Sequence, residues 1–394
     1  MATHDATALV LGGAGSVGAE TVRQLARRGR FQRLLVADRD LEAAQRLAQA
    51  LGAEAVEIDV TNRPALVSLM RQAQVVLNAA GPFVRYGVPV VRAAIEAQVD
   101  YADVSDDVEP IQELFHTGAI DREARAAGIT VVVGLGTSPG LTNIIARYGA
   151  QHLDTVTSVH FALCTGTWTR GAAVWAHRLH VNSGFATVYR DGRWTEVPAM
   201  SEEEIVTFPW PPGRASVHIV AHPEPLTLPR HLPGVREVVT KLGYPDAINR
   251  LLRDLSQYGL TSEESVALGD IQVAPRVFLA AYLASPQADR RFGLSALTPY
   301  SAPQVTLTGT RDGREVTLRY QLAMSGGPPE TALPLVIAGE MLAAGQIAAS
   351  GLLAPEALDP LPFLQALPSL GVKARLIREE ASSGVISQEG VAGA

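Results

Sequence analysis

Short apolar runs alternate with segments of helical spacing along the first third of the chain. Ala8-Leu9-Val10-Leu11 predicts a buried strand that stops at a glycine cluster. Val17, Val22, Leu25 and Ala26 then share one face of a helix. A second run, Arg33 to Ala37, ends in Asp38, and a helix from Leu41 to Leu51 follows, closed by Gly52. Ala55 to Ile58 predicts a third strand, ending at Asp59, and Pro64 lies near the start of the next helix, where proline is tolerated. Gln74 to Asn78 predicts a fourth strand running into Ala79-Ala80-Gly81-Pro82-Phe83. A helix from Val88 to Ala97, a strand from Asp100, a long helix to Ala127, a strand from Ile129 to Val133 and a helix to about Ala150 complete the series. This rhythm with short links predicts an α/β fold built on a doubly wound parallel sheet.

From about Thr155 the pattern changes. Alternation in Ser158 to Leu163 and Ala186 to Tyr189 predicts antiparallel strands, with Asp191-Gly192 and Asp312-Gly313 as hairpin turns. Helices are expected near Tyr244–Leu255 and Pro275–Ala284, between proline-rich loops. The segment Ala332 to Leu353 is the most membrane-like. Glu340 and Gln346 in its middle, and its many small residues, predict a packed internal helix instead. The expected organisation is a nucleotide domain over 1–150, an α+β substrate or dimerisation domain over 151–330, a helical segment over 331–380 returning to the first domain, and a frayed tail over 381–394.

Composition narrows the picture. The chain has 394 residues, 47% of them hydrophobic and 19% charged, which describes a globular protein with room for more than one domain. A net charge of −7 with no basic stripe argues against nucleic acid as partner. The single cysteine, Cys164, excludes an internal disulfide and suits the reducing cytoplasm. No signal peptide is visible at Met1-Ala2-Thr3-His4-Asp5, and no membrane association is expected.

Candidate chemistry begins at the glycines. Gly13, Gly15 and Gly18 form G-x-G-x-x-G between a strand and a helix, the dinucleotide fingerprint of a Rossmann fold. Gly13 is expected to permit the tight turn, Gly15 to admit a pyrophosphate, and Gly18 to let the helix lie close. Ser16 and Val17 open the helix, whose N–H groups and dipole face the phosphates. Asp38 lies 25 positions after Gly13, near the spacing of roughly 20 expected of the acid that holds the adenosine ribose. Asp38, Asp59 and the turn Ala79-Ala80-Gly81 all sit at strand C-ends and should line one crevice. Asp38 predicts NAD, because a 2′-phosphate would meet a like charge; Arg39 beside it is the feature that favours NADP. His177 and His180 read as surface residues, and no metal site is predicted. Ser138 and Ser183 lack a nucleophile elbow. No Tyr-x-x-x-Lys pair follows the fourth strand. Trp168, Trp175, Trp194 and Trp210 read as core or wall.

Several stretches together resemble the saccharopine dehydrogenase-like family of pyridine-nucleotide oxidoreductases, which includes lysine 6-dehydrogenase-like and carboxynorspermidine dehydrogenase-like enzymes. They are Gly12 to Gly18, Ala37-Asp38-Arg39, Asn78 to Phe83 with Tyr86-Gly87, Tyr101-Ala102-Asp103, Gly136 to Asn143, His222-Pro223-Glu224-Pro225 and the region of Ala354-Pro355-Glu356. The chain departs from the family pattern at Ser105-Asp106-Asp107, where a Gly-Glu pair is common, and at Ser138, where the turn usually carries an acid. The resemblance implies a homodimer through the sheet of the second domain. It also implies hydride transfer between NAD(P) and a C–N bond of an amino acid, opine or imine. A trans-acting enoyl (C=C) reductase and a non-catalytic nucleotide-binding regulator are the alternatives. The acids past the fifth strand are the local candidates for proton transfer, so Asp103 and Asp106 are expected to be catalytic, with Tyr86 shaping the pocket. Arg170 and Arg178 are candidates for a carboxylate clamp.

Overall fold

Leu9, Val10 and Leu11 have no exposed surface in the first strand, β1 (Thr7–Leu11), as an unbroken apolar run in a central parallel strand requires. The computed structural model of the protein describes residues 6–166, 171–293, 299–370, 373–380 and 386–390. After β1 come α1 (Ser16–Arg28), β2 (Arg33–Asp38), α2 (Leu41–Leu51), β3 (Glu54–Glu57), α3 (Arg63–Met70), β4 (Val75–Asn78), α4 (Phe83–Ala97), β5 (Asp100–Asp103), α5 (Val108–His116), α6 (Ala119–Ala127), β6 (Thr130–Val132) and α7 (Leu141–Ala150). Local signals set the boundaries. Asp40 caps α2 by accepting the Ala43 N–H, and Asn62 caps α3 by accepting that of Ala65, with Pro64 in the first turn.

Two helix expectations are corrected. α4 begins at Phe83, not Val88, because Pro82 supplies the cap carbonyl that accepts the Arg85 and Tyr86 N–H groups, and Pro89 is accommodated inside the helix. Tyr86 therefore lies on a helix. The single long helix ending at Ala127 is two, α5 and α6, separated at Thr117-Gly118.

The first unit comprises Met1–Arg147 with Pro328–Leu370, so the chain returns to it late. That return brings α13 (Pro328–Ala343), β17 (Gly351–Leu353) and α14 (Leu361–Ala366), numbered by their place in the chain. The seven strands run parallel in the order β17-β6-β5-β4-β1-β2-β3. Strand order reverses between β1 and β4, and ligands bind beyond the strand C-ends at such a switch point. α13 lies against β4: a Cβ added to Gly339 would stand 2.8 Å from Leu77 Cδ2. No helix among the described residues is long and apolar enough to cross a membrane.

The second unit comprises Tyr148–Gly327 with Gly371–Ala394. Its elements are β7 (Thr155–Thr165), α8 (Ala172–Val181), β8 (Phe185–Arg190), β9 (Arg193–Pro198), β10 (Glu204–Thr207), β11 (Arg214–Ile219), α9 (Glu224–Thr227), β12 (Glu237–Gly243), α10 (Asp246–Gln257), β13 (Val266–Leu268), β14 (Ile271–Val273), α11 (Pro275–Leu283), α12 (Pro286–Phe292), β15 (Ser301–Arg311), β16 (Arg314–Ala323), β18 (Lys373–Glu380) and β19 (Ile386–Gly390). Ten of these strands form one sheet. It is mixed where an antiparallel one was expected, because β12 pairs with β7 in parallel. One row across it, Val238–Val159–Leu307–Leu318, is buried; the adjacent row on the opposite face, Val239–His160–Thr306–Arg319, is largely polar. Both hairpins form at the expected Asp-Gly pairs, with Asp191 and Asp312 in left-handed conformation.

The expected C-terminal division also changes. Residues 331–380 split: the part to Leu370 belongs to the first unit, and Lys373–Glu380 is a strand of the second. Ile386–Gly390, expected to fray, pairs with β18.

Glu340 explains why a charge sits in the middle of α13. Arg28 Nε and Nη2 donate to its two carboxylate oxygens at 2.7 and 2.8 Å, fastening the end of α1 to the returning helix. Bidentate, partly desolvated pairs are the strong ones. A double-mutant cycle of Arg28→Ala and Glu340→Ala, read by chemical denaturation, should give a coupling of about 1–2 kcal/mol. A coupling near zero would mean that solvent screens the pair.

Candidate dinucleotide site and its acids

Three strand ends meet around the glycine turn. Gly12 is left-handed, and a Cβ on it would stand 2.8 Å from the Ala79 carbonyl and Ala80 Cα, so the turns after β1 and β4 touch. The conformational demand of the turn therefore falls on Gly12, not on Gly13 as the fingerprint suggests. Gly13 is needed for space: its Cβ would stand 2.8 Å from Val36 Cγ1, and its N–H donates to Ala37 O at 3.0 Å. A Cβ on Gly18 would lie 2.0 Å from Gly12 O, which fixes how closely α1 approaches the turn. Gly15 caps α1 in extended conformation. No side chain caps the helix and its first turn holds no acid, so the N–H groups of Ser16, Val17 and Gly18 keep the positive end of the dipole. These residues fit a pyrophosphate: the cradle is glycine-lined and its donors are backbone.

Asp38 closes one side. Its Oδ2 accepts the Ala14 N–H at 3.0 Å and its Oδ1 the Asp40 N–H at 3.1 Å, which braces the carboxylate against the turn. Arg39 beside it is exposed. Asp59 follows β3, whose continuation pairs Ile58 N–H with Asp38 O. Its carboxylate turns back onto Thr61, accepting the hydroxyl at 2.7 Å and the N–H at 2.9 Å. Those bonds, with the charge of Arg39, hold it below the usual carboxylate range. Ala79 N–H donates to Leu11 O, Ala80 N–H to the Asn78 side chain, and Gly81 completes that small-residue turn.

Asp103 ends β5 inside the protein. It has no exposed surface, and both oxygens are occupied: Oδ1 accepts the N–H groups of Ser105 (3.0 Å) and Gly134 (2.9 Å), and Oδ2 accepts the Tyr101 hydroxyl (2.9 Å). Asn78 Nδ2 donates to that hydroxyl at 2.8 Å. The chain of bonds ties the C-ends of β4 and β5 to the segment after β6. Burial pushes Asp103 up to about 6, against the opposing pull of the bonds it accepts. An acid held by these bonds fixes the rim of the sheet. Asp106, three residues on, is half-buried, and Tyr86 is half-buried in the first turn of α4.

The sequence reading also misses Asn143 and Glu356 as a pair. Asn143 Oδ1 accepts the Gly140 N–H, and its Nδ2 donates to Glu356 Oε2 at 2.9 Å, both residues being fully buried. This pins the loop holding Ser138. The signal was present, since both residues lie in stretches that carry the resemblance.

In the second unit, Arg178 is buried with its guanidinium 5.3 Å from the Trp175 ring and 5.8 Å from that of Tyr244. Arg170 and Trp168 lie outside the described residues. Of the remaining tryptophans only Trp175 is core; Trp194, in β9, is half exposed and Trp210 is 84% exposed. Cys164 is buried, and burial pushes its thiol up to about 11, which removes it as a nucleophile.

Residues 8–132 match the saccharopine dehydrogenase NADP binding domain, and residues 136–372 match the saccharopine dehydrogenase C-terminal domain. The chain belongs to the saccharopine dehydrogenase family. It is an NAD(P)-dependent oxidoreductase of that family. Carboxyaminopropylagmatine dehydrogenase from Synechocystis is 23% identical over 91% of this chain and 95% of the relative. The trans-acting enoyl reductase of Mycobacterium tuberculosis is 30% identical, over only 36% of this chain and 35% of its own. Apo saccharopine dehydrogenase (L-Glu forming) from Saccharomyces cerevisiae has the same fold: TM-score 0.69, 19% identity, covering 96% of this chain and 100% of that one.

The sign of the Asp103 effect follows from its raised value. A carboxyl near 3.9 when unfolded and about 6 when folded costs the family member stability as pH rises between the two. Asp103→Asn keeps the shape and the acceptor for both N–H groups without the buried charge. Relative to wild type, its melting temperature should gain steadily from pH 4 to pH 6 and equal or exceed wild type at pH 7.5, with turnover retained within a few-fold. A loss of about 100-fold in turnover at unchanged cofactor affinity would make Asp103 catalytic.

Proposed function

We propose that the protein transfers hydride between NAD(H) and a carbon bonded to nitrogen, in an amino acid, opine or imine. The observation that carries this reading is a family match over both domains joined to an uncapped, glycine-lined helix start with an acid braced beside it. The dinucleotide, when bound, would give the hydride in its reduced form or take it in its oxidised form, the substrate carbon being the other partner. Ser16, Val17 and Gly18 would receive the pyrophosphate on backbone N–H groups, with Gly15 leaving room for its approach and Gly13 holding the turn against β2. Asp38 would accept both adenosine ribose hydroxyls, and Asp59 would border the adenine. Ala79, Ala80 and Gly81 would let the middle of the cofactor pass close to the backbone. With Asp103 enclosed, Asp106 is the acid left to hold or move the proton at the reacting nitrogen, and Tyr86 would form a wall of that pocket. A cytoplasmic homodimer completes the reading.

Reduction of C=C bonds ranks second, since the likeness to the enoyl reductase spans about a third of either chain. The test is a panel of amines with 2-oxo acids, alongside enones, followed by loss of NADH absorbance. Turnover confined to enones would overturn the C–N reading.

Two variants test the cofactor seat. Gly15→Val should weaken NADH binding by about 2 kcal/mol, roughly 30-fold, through lost backbone contacts; an unchanged dissociation constant would remove the turn from the site. Wild type should prefer NADH over NADPH because Asp38 repels a 2′-phosphate, and Asp38→Ser should shift the preference toward NADPH by leaving Arg39 unopposed. A wild-type preference for NADPH would overturn the ribose assignment.

A further inference from the structure

One run of hydrogen bonds crosses the C-terminal edge of the parallel sheet. It starts at the small-residue turn after β4, where the Ala80 N–H donates to Asn78 Oδ1 at 2.9 Å. Through Tyr101 it reaches Asp103, and from there it enters the loop after β6. Gly134 N–H donates to the Asp103 carboxylate at 2.9 Å, and Leu135 N–H to the Asp103 backbone carbonyl at 2.7 Å. The loop then closes on itself. Gly136 N–H donates to Pro139 O, Leu141 N–H donates to Gly136 O, and a Cβ on Gly140 would stand 2.0 Å from Gly136 O. Asn143 holds the far end, accepting the Gly140 N–H at 3.0 Å and donating to Glu356 Oε2 at 2.9 Å. Glu356 reaches this edge because β17, which ends at Leu353, pairs with β6 in parallel.

Tethering a loop in this way has a cost. Asn143 and Glu356 have no exposed surface, and a carboxylate so placed gives up its hydration. Every residue from 134 to 140 is buried except Ser138, which is half-buried. The bonds therefore secure the outline of a loop that opens at one residue on the sheet edge.

Strand order decides which end of a dinucleotide such a loop would meet. With the pyrophosphate at the start of α1 and the adenosine at Asp38, the adenosine end lies toward β2 and β3. The nicotinamide end then lies the other way, past β4 toward β5 and β6. We propose that Glu356 is a positioning residue for hydride transfer. Through Asn143 it fixes the loop after β6 in the shape that keeps the nicotinamide end aligned with the substrate. This role rests on the hydride-transfer reading and deepens it. Displacing a bound group by about 1 Å is enough to slow a reaction on the order of 100-fold.

Turnover followed by NADH absorbance tests the role, using whichever class the wild type reduces, imines formed from amines and 2-oxo acids, or enones. Glu356→Ala removes the acceptor of the Asn143 amide. Its kcat should fall at least about 10-fold, with NADH affinity unchanged because α1 and Asp38 are untouched. Amide exchange in the peptide from Gly134 to Leu141 should quicken in the same variant. Glu356→Gln keeps an acceptor for that amide and should keep wild-type turnover. Asn143→Asp sets two buried carboxylates against each other and should be slow. Adding Glu356→Gln to it restores the bond with its direction reversed, and should restore turnover. Unchanged kcat in Glu356→Ala would overturn the role, and so would a loss accounted for by weaker NADH binding. An exchanged pair that recovers melting temperature but not turnover would overturn the route through Asn143. A wild type that binds NADH and reduces neither class would remove the hydride reading, and this role with it. Should Glu356→Ala fail to fold, Asn143→Asp with and without Glu356→Gln carries the same test.

Discussion

The nucleotide unit depends on how closely backbone can approach backbone at the turn after β1. Gly12 touches the turn after β4, and α1 touches Gly12, at separations where a Cβ at Gly12 or Gly18 would overlap main-chain atoms. These contacts set the position of α1 over the sheet and hence where its free N–H groups point. The same approach brings the ends of β1, β2 and β4 within hydrogen-bond reach of one another, through Gly13 to Ala37 and Ala79 to Leu11. These strand ends meet at the switch point of the sheet, with Asp38 held there by the backbone of the glycine turn itself.

Along the same sheet edge, the buried chain Asn78–Tyr101–Asp103 does for β4, β5 and β6 what the glycines do for β1. Parallel strands end in unsatisfied backbone groups, and the Asp103 carboxylate accepts two N–H groups at this edge. Its charge is costly to bury, which is why its value rises. The arrangement keeps a rigid rim beneath the loop that carries Asp106. Asn143 and Glu356 extend this logic to the next loop, using a segment far along the chain.

Much of this was legible in the sequence because the signals are local. Apolar runs gave the parallel strands, Pro64 marked a helix start, and Asp-Gly pairs marked both hairpins. The glycine spacing located the turn. What sequence could not show is burial. Asp103 ends a strand at the proper edge and reads as a base, yet Tyr101 and two N–H groups enclose it. Long-range pairing was equally hidden: β12 lies parallel to β7, and Ile386–Gly390 adds a strand from a polar tail. The β13–β14 hairpin escaped notice because its apolar residues face solvent, the opposite of what periodicity assumes.

The most direct test of the central claim is amide hydrogen exchange of the whole protein with and without saturating NADH. Binding at the glycine turn predicts slowed exchange in the peptide covering Gly12 to Gly18, and a second protected peptide at Asp38 to Asp40. Exchange unchanged at both segments while NADH is bound would contradict the account.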